Sequence, residues 1–445
     1  MPDLLASTAR LLIARTARAQ RDGRVPSLVA GVARDGGLAW STGHGDLPGP
    51  TANPSDIQYR IGSLTKTITA ITVLRLRDEG VLDLDDALET HLPGTPLGDR
   101  TVGQLLGHLG GVAAESPGQW WERSPGGPLE ELGLTDAERV LPSARRFHYS
   151  NLGFGLLGDV VAGARGRAWT DVARDEVLAP LGMDRTTPRP VAPAARGFAV
   201  HPWSQTVLPE PEHDAGVMAP AGQLWSTVTD LARLATFLIG DTGGVLSPDT
   251  LEEMTVPAGV DPSQPIWAGY GLGLQVQRFD GTTLVGHGGS MPGFLAGIWV
   301  DRDEAVGAFA AGNTTAGMDG GLPAAMLADV RAAEPRVVAP WTPEPSPVDE
   351  ALLGPWYWGP SPYVLRAVQD GLLHLGGLGR PGRASRFRPR PDGTWVGMDG
   401  YFAGETLRLG ADALHLATFV FTREQYDPAA PVPGGVDTGG WSPRR

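Results

Sequence analysis

The sequence predicts an α+β protein. One antiparallel sheet is built from both ends of a long first domain, with flanking helices and a helical lobe, and a small all-β barrel follows. Three observations predict this. Strand-like stretches open and close the first 335 residues, with helical periodicity between them. The stretch EPRVVAPWTPEPSPVDE, residues 334–350, crowds prolines where no helix can persist. Beyond it come short alternating runs separated by turns, the pattern of a barrel or sandwich. The predicted domains are 1–335 and 348–445, joined by a proline-rich linker at 336–347.

At the start, MPDLLASTARLLIARTARAQRDG carries Asp3 early and breaks its apolar positions with Arg10, Arg15 and Arg18 at helical spacing. It reads as an amphipathic surface helix rather than a secretory signal. No apolar run approaches the roughly 20 residues a bilayer span needs, so the expectation is a cytoplasmic protein without a membrane span. SLVAGVARDGGLAWSTG then forms two strands around Asp35-Gly36-Gly37. Residues 63–80 repeat apolar side chains at Ile68, Ile71, Leu74 and Leu76 and stop at Glu79-Gly80, a helix. Helices and Gly/Pro loops fill the region to about 240. Strands return in YGLGLQVQRFDGTTLVGHGG, with Asp280-Gly281 at the turn, and in FLAGIWVDRDEAVGAFAAG; a helix follows near 319–333.

Composition narrows the chemistry. In 445 residues there is no cysteine, which excludes disulfides, thiolate metal sites and a cysteine nucleophile. The net charge of −14 is spread without long runs of one sign, which argues against a nucleic-acid partner. The nine histidines show no metal-ligand spacing and no H-E-x-x-H occurs, so no metal and no cofactor are expected. No G-x-S-x-G elbow is present either.

Among the 36 Lys and Arg residues a single one is lysine, Lys66, three residues after Ser63 in SLTK. Arginine coding bias accounts for the scarcity of lysine but not for this position. A buried lysine can lose its proton and act as a base, whereas arginine stays charged. On a helix that begins at Ser63, residues i and i+3 share a face, so the amine would lie against the hydroxyl. A second motif, Tyr149-Ser150-Asn151, precedes a helical segment and offers a phenol for proton transfer and an amide for a substrate carbonyl. A third, His287-Gly288-Gly289 before Ser290, closes a strand where glycines let a substrate backbone approach. Each alone has a bland reading as a turn or packing residue. His108, in LLGHLGG, fits a helix-end core or capping residue. Trp120 and Trp121 either line an apolar cleft or pack a lid, and Trp225 is expected to face the site.

Together and in this order, these motifs resemble the serine β-lactamase and penicillin-binding-protein superfamily, in particular the branch of class C β-lactamases, DD-peptidases and related esterases. The likeness covers about residues 20–335 and includes YRIGSLTKTITAITVLRLRDEGVLDLDD, TVGQLLGHLGGV, HYSNLGFGLLG, LAPLGMDRTT, AGQLWSTVTDLARLATFL and LVGHGGSMPGF. The resemblance implies Ser63 as nucleophile, Lys66 as base, Tyr149 as proton shuttle, Asn151 as substrate-binding amide and His287 in place of the family's third-motif lysine. It also implies an oxyanion hole from the backbone N–H groups of Ser63 and Ser290, and a substrate cleft along Gly288, Gly289, Trp225, Trp120 and Trp121. Histidine at 287 departs from the lysine common in penicillin-directed members and points away from a dedicated β-lactamase.

The missing export signal, the histidine and a lipocalin-like C-terminal module together resemble stand-alone penicillin-binding-protein-type thioesterases, which release and macrocyclise nonribosomal peptides. The implied partner is a peptidyl or acyl substrate delivered by a carrier protein of a peptide synthetase. An esterase or D-stereospecific peptidase using water is the near alternative, and a non-catalytic binding protein on this scaffold the remote one.

Overall fold

The computed structural model describes residues 3–49, 52–260, 268–338, 340–379, 382–425, 436–437 and 440–441. The backbone packs as two units, residues 1–337 and 338–445. Most of the predicted second domain after residue 425 lies outside the described residues.

The first unit opens with α1 (Ala6–Asp22), whose Leu12 and Thr16 face inward. Strands β1 (Ser27–Arg34) and β2 (Gly37–Gly45) pair around Asp35 and Gly36, both at positive φ as a tight hairpin turn demands. Next come a two-residue strand β3 (Tyr59–Arg60) and helix α2 (Leu64–Asp78). Helix α3 (Asn151–Arg165) is capped by the Ser150 side chain accepting from the Gly153 N–H and stops at Gly166 in the left-handed region. Strand β4 (Trp225–Ser226) pairs with β3. Helix α4 (Val228–Ile239) packs on the sheet.

Strands β5 (Gly259–Val260), β6 (Gly269–Tyr270), β7 (Gln275–Phe279), β8 (Thr282–Met291), β9 (Phe294–Asp301) and β10 (Val306–Gly312) complete the sheet, and α5 (Leu322–Ala333) closes the unit. Sheet order is β2-β1-β10-β9-β8-β7-β6-β5, antiparallel throughout. The first unit therefore does build one sheet from its two ends, with the helical region between them.

Two apolar layers hold this sheet. One, under α1 and α5, gathers Leu12, Leu28, Val32, Ala308, Met326 and Leu327. The larger one gathers the helices on the other face around α2, where twelve of fifteen residues are buried. Each buried Leu or Ile there contributes roughly 1.5–3 kcal/mol, so α2 is fixed by packing on all sides, not by one amphipathic stripe. A rigid α2 gives its first residues fixed positions.

In the second unit, β11 (Gly354–Trp358), β12 (Ser361–Val368), β13 (Leu372–Gly377), β14 (Ser385–Pro389), β15 (Trp395–Gly397), β16 (Thr406–Leu409), β17 (Ala413–Leu416) and β18 (Phe419–Thr422) form a closed eight-stranded barrel. Alternate residues, among them Trp356, Leu365, Leu373, Phe387, Leu407, Leu414 and Phe421, fill its interior. Among the described residues no helix is long and apolar enough to cross a membrane.

Candidate active site

Ser63 occupies the N-cap of α2, yet its side chain makes no cap hydrogen bond. The hydroxyl is thus free for other chemistry. One turn on, Lys66 is fully buried, and its Nζ donates to Ser63 Oγ at 3.0 Å, Asn151 Oδ1 at 2.6 Å and the Ala221 carbonyl at 2.7 Å. Burial brings its pKa down to about 7, with Glu115 and Glu122 opposing part of that fall. The amine also lies 4.9 Å from the centre of the Tyr149 ring. Desolvation pushes the Tyr149 phenol above its ordinary value, and the neighbouring Ser63 hydroxyl offsets part of the rise. The phenol is therefore a protonated group at neutral pH, able to hand on a proton but not to begin as phenolate.

Glycine brings the third motif to this pair. Gly62 has φ +53°, and a Cβ there would stand 2.5 Å from the Ser290 backbone nitrogen; a Cβ on Gly289 would stand 2.0 Å from the Ile61 carbonyl oxygen. Only glycine allows β8 to lie so close to the chain entering α2. The Ser290 peptide is thereby set beside that of Ser63. Gly288 differs from Gly289. A Cβ there would meet nothing nearer than 4.0 Å, so this position borders open space. Strand β7 pairs with β8 only as far as Gly286. Past that point the outward edge of β8 has no strand partner among the described residues, and Gly288 N–H donates to the Gln275 side chain at 3.2 Å.

One expectation needs correction, and two other residues are more enclosed than their motifs suggest. Trp225 does not line the cleft: it is 2 % exposed and packs edge-on against Phe294 with ring centres 4.9 Å apart, because its strand pairing with Arg60 draws it into the core. His287, the histidine expected in place of the family's lysine, lies inside the protein. It is buried, Nδ1 lies 2.5 Å from its neighbour's carbonyl at Gly288 and Nε2 lies 3.1 Å from the Tyr270 hydroxyl. Burial and the nearby Lys66 pull its pKa down to about 3, so it is neutral. The carbonyl claims the Nδ1 proton, which leaves Nε2 to accept from Tyr270. Asn151, expected as a substrate-binding amide, has both ends engaged: its oxygen accepts from Lys66 Nζ, and its Nδ2 donates to both carboxylate oxygens of Glu115 at 2.9 and 3.0 Å.

The adjacent tryptophans part ways. Trp120 is exposed, donates to Glu122 and lies under the Arg123 guanidinium, whereas Trp121 is buried and donates to Glu115 at 2.6 Å. His108 is a core residue boxed by Tyr149, Tyr270, Phe154 and Phe147, and its Nδ1 accepts from Ser150 N–H.

Sequence reading missed Glu115, Tyr270 and the Ala221 carbonyl. A carboxylate isolated in the small-residue stretch GVAAESPG was a usable signal for Glu115. Nothing in the residue letters marks a backbone carbonyl. Among the described residues no group of three His, Asp or Glu side chains could hold a metal ion.

A serine at the head of a buried helix, one turn from a neutralisable lysine and facing a strand edge, defines a class of fold and site. Residues 12–333 match the β-lactamase family model, and the chain belongs to that family. Residues 345–423 match a model described as a domain of unknown function, DUF7586.

Curated relatives include beta-lactamase-like protein 2 of Dictyostelium discoideum, 28 % identical over 54 % of this chain and 47 % of that protein. Another is putative beta-lactamase-like 1 of Homo sapiens, 31 % identical over 57 % of this chain and 53 % of that one. The chain thus spans about half the length of these relatives. Among solved structures, the octameric penicillin-binding protein homologue from Pyrococcus abyssi superposes with TM-score 0.65 at 21 % identity, over 94 % of this chain and 100 % of that one. SurE with D-Leu gives 0.57 at 24 %, over 94 % and 100 %. A D-stereospecific amidohydrolase from Streptomyces sp. gives 0.59 at 27 %, over 73 % and 97 %. The first two likenesses, at their low identity, bear on fold alone.

Proposed function

We propose that the protein is a serine acyltransferase. Ser63 takes an acyl group as an ester, and a second nucleophile then releases it. The carrying observation is the 3.0 Å contact between Ser63 Oγ and a fully buried Lys66 whose pKa sits at about 7. At neutral pH about half of such amines are uncharged and can accept the serine proton. In this reading the Ser63 and Ser290 N–H groups hold the developing oxyanion, and Tyr149 passes a proton to the leaving group. The free edge of β8 past Gly286 receives the substrate backbone, and Gly288 leaves room for it.

The specific reading is a thioesterase that takes a peptidyl chain from a carrier protein and cyclises it. Supporting it are the closed β-barrel that follows the first unit in the chain and the neutral His287, which provides no cation for a substrate carboxylate. The D-stereospecific amidohydrolase favours the second reading, hydrolysis of a D-configured amide or ester with water as acceptor. Both share one acyl-enzyme.

Intact-mass spectrometry after mixing with a peptidyl thioester ending in a D-residue tests both. Wild type should gain the peptidyl mass and Ser63→Ala should not; a cyclic product supports the first reading, a linear one the second. Label on Ser63→Ala, or none on wild type with any acyl donor, would overturn the serine chemistry and leave only a binding role.

A further inference from the structure

We infer that Glu115 is a positioning residue that aims the lone pair of Lys66 at Ser63, acting through the amide of Asn151. The inference rests on the serine acyl-transfer reading and concerns a residue that no motif of that reading includes.

The geometry is a single chain of directed hydrogen bonds. Trp121 Nε1 donates to Glu115 Oε2 at 2.6 Å, Asn151 Nδ2 donates to the Glu115 carboxylate at 2.9 and 3.0 Å, Lys66 Nζ donates to Asn151 Oδ1 at 2.6 Å, and the same nitrogen reaches Ser63 Oγ at 3.0 Å. An Asn amide can present either its oxygen or its NH2 to a neighbour, and only the hydrogen-bond network decides which. A carboxylate accepts and does not donate. Facing Glu115, the amide must turn its NH2 outward and its oxygen toward Lys66.

That orientation decides where the lysine base points. Nζ has three neighbours, of which the Ala221 carbonyl and Asn151 Oδ1 can only accept. The ammonium satisfies all three with its three hydrogens. When one proton leaves, the two acceptor-only oxygens claim the two remaining hydrogens, and the lone pair falls on the third neighbour, the Ser63 hydroxyl, which can donate. Were the amide reversed, Nδ2 would face the amine, the lone pair would turn to it, and Ser63 would lose its base. Asn151 is buried, Glu115 is the carboxylate its amide meets among the described residues, and Trp121 keeps that carboxylate in place from the core side.

The electrostatics add a second, separable effect. Charged and titratable groups around Lys66 are Glu115 and Glu122 from the 115–122 loop, Tyr149 ahead of α3, His108 and His287. Both histidines are driven neutral by burial, and the phenol stays protonated. The two glutamates alone favour the ammonium form. Removing the charge at 115 should lower the pH at which Lys66 becomes a base, while removing the orientation should lower the rate once it is one.

The test uses a fluorophosphonate, which needs no knowledge of the natural acyl donor. Ser63 Oγ bonds to phosphorus, fluoride leaves with the P–F electron pair, and the serine proton passes to Lys66. The labelling rate is followed by intact mass from pH 5 to 9 in the full chain, with Ser63→Ala as the blank. In Glu115→Gln the side chain keeps its shape but can donate as well as accept. The expected result is a plateau rate at high pH about ten-fold or more below wild type, because part of a base's contribution of ~10²–10⁴-fold is lost. The acid-side midpoint should move down by about one pH unit. Glu115→Asp, still acceptor-only and charged, should restore the midpoint. A merely structural role would lower the plateau without moving the midpoint. An unshifted midpoint with an unchanged plateau in Glu115→Gln overturns the inference while leaving the serine reading intact. Wild type that fails to label overturns both.

Discussion

Replacing Lys66 with arginine is the sharpest perturbation of the site, because it keeps a cation where all three acceptors are and removes only the ability to be neutral. With the Lys66 pKa at about 7, the amine is about 10 % neutral at pH 6, half neutral at pH 7 and about 90 % neutral at pH 8. Ser63 acylation in wild type should therefore rise about ten-fold from pH 6 to pH 8 and fall about ten-fold per unit further down. Arginine contributes no neutral fraction at any of these values. Its variant should lose ~10²–10⁴-fold in acylation, about 3–5 kcal/mol of barrier, and what remains should be nearly flat with pH. Single-turnover acylation followed by intact mass measures both, with a thermal melt to establish that the variant is folded. A folded Lys66→Arg protein that keeps more than a tenth of the wild-type rate would refute the reasoning. So would a wild-type rate independent of pH across 5–8.

Two further predictions follow from features around the site. A Gly289→Ala change drives a methyl to 2.0 Å from the Ile61 carbonyl, whereas Gly288→Ala meets nothing within ordinary contact; the first should cut acylation at least 100-fold by separating β8 from Ser63, and the second should leave fluorophosphonate labelling within a few-fold of wild type. Equal losses in the two would refute the distinction. Asp159, on α3, has its pKa raised from 3.8 to about 6, chiefly by burial and further by Glu130. An acid whose folded pKa is raised binds more protons in the native state, so stability falls as pH rises from about 4 to about 6 and stays lowered above. With partial solvent access discounting the full shift, Asp159→Asn should gain about 1–2 kcal/mol at pH 7 and nothing at pH 4. Urea midpoints at the two pH values, at constant slope, measure it.

What could be read from sequence depended on how local the determining physics was. The Asp35-Gly36 and Asp280-Gly281 turns, the helix from Leu64 and the pairing of both ends of the first domain into one sheet follow from periodicity and turn chemistry, and all appear in the structure. The Ser63–Lys66 contact is legible because one helical turn sets it. Trp225 was not, because the fate of an aromatic beside a motif depends on which strand it pairs with, and β3 takes it into the core. Asn151 was legible as a site residue but its partner was not: Glu115 lies 36 residues away in sequence. His287 likewise owes its neutrality to burial beside Lys66, and its Nε2 partner Tyr270 lies 17 residues earlier on another strand; no spacing rule connects either to it.

The solitary side-chain amine is also the most deeply enclosed basic group among the described residues. Reagents that seek amines, from dyes to surface-coupling esters, find no side-chain target on the folded molecule, and the chain offers no thiol as a substitute. Any dye that does attach to residue 66 therefore reports that the centre of the molecule has opened. The chain carries its own unfolding sensor at the position where its chemistry begins.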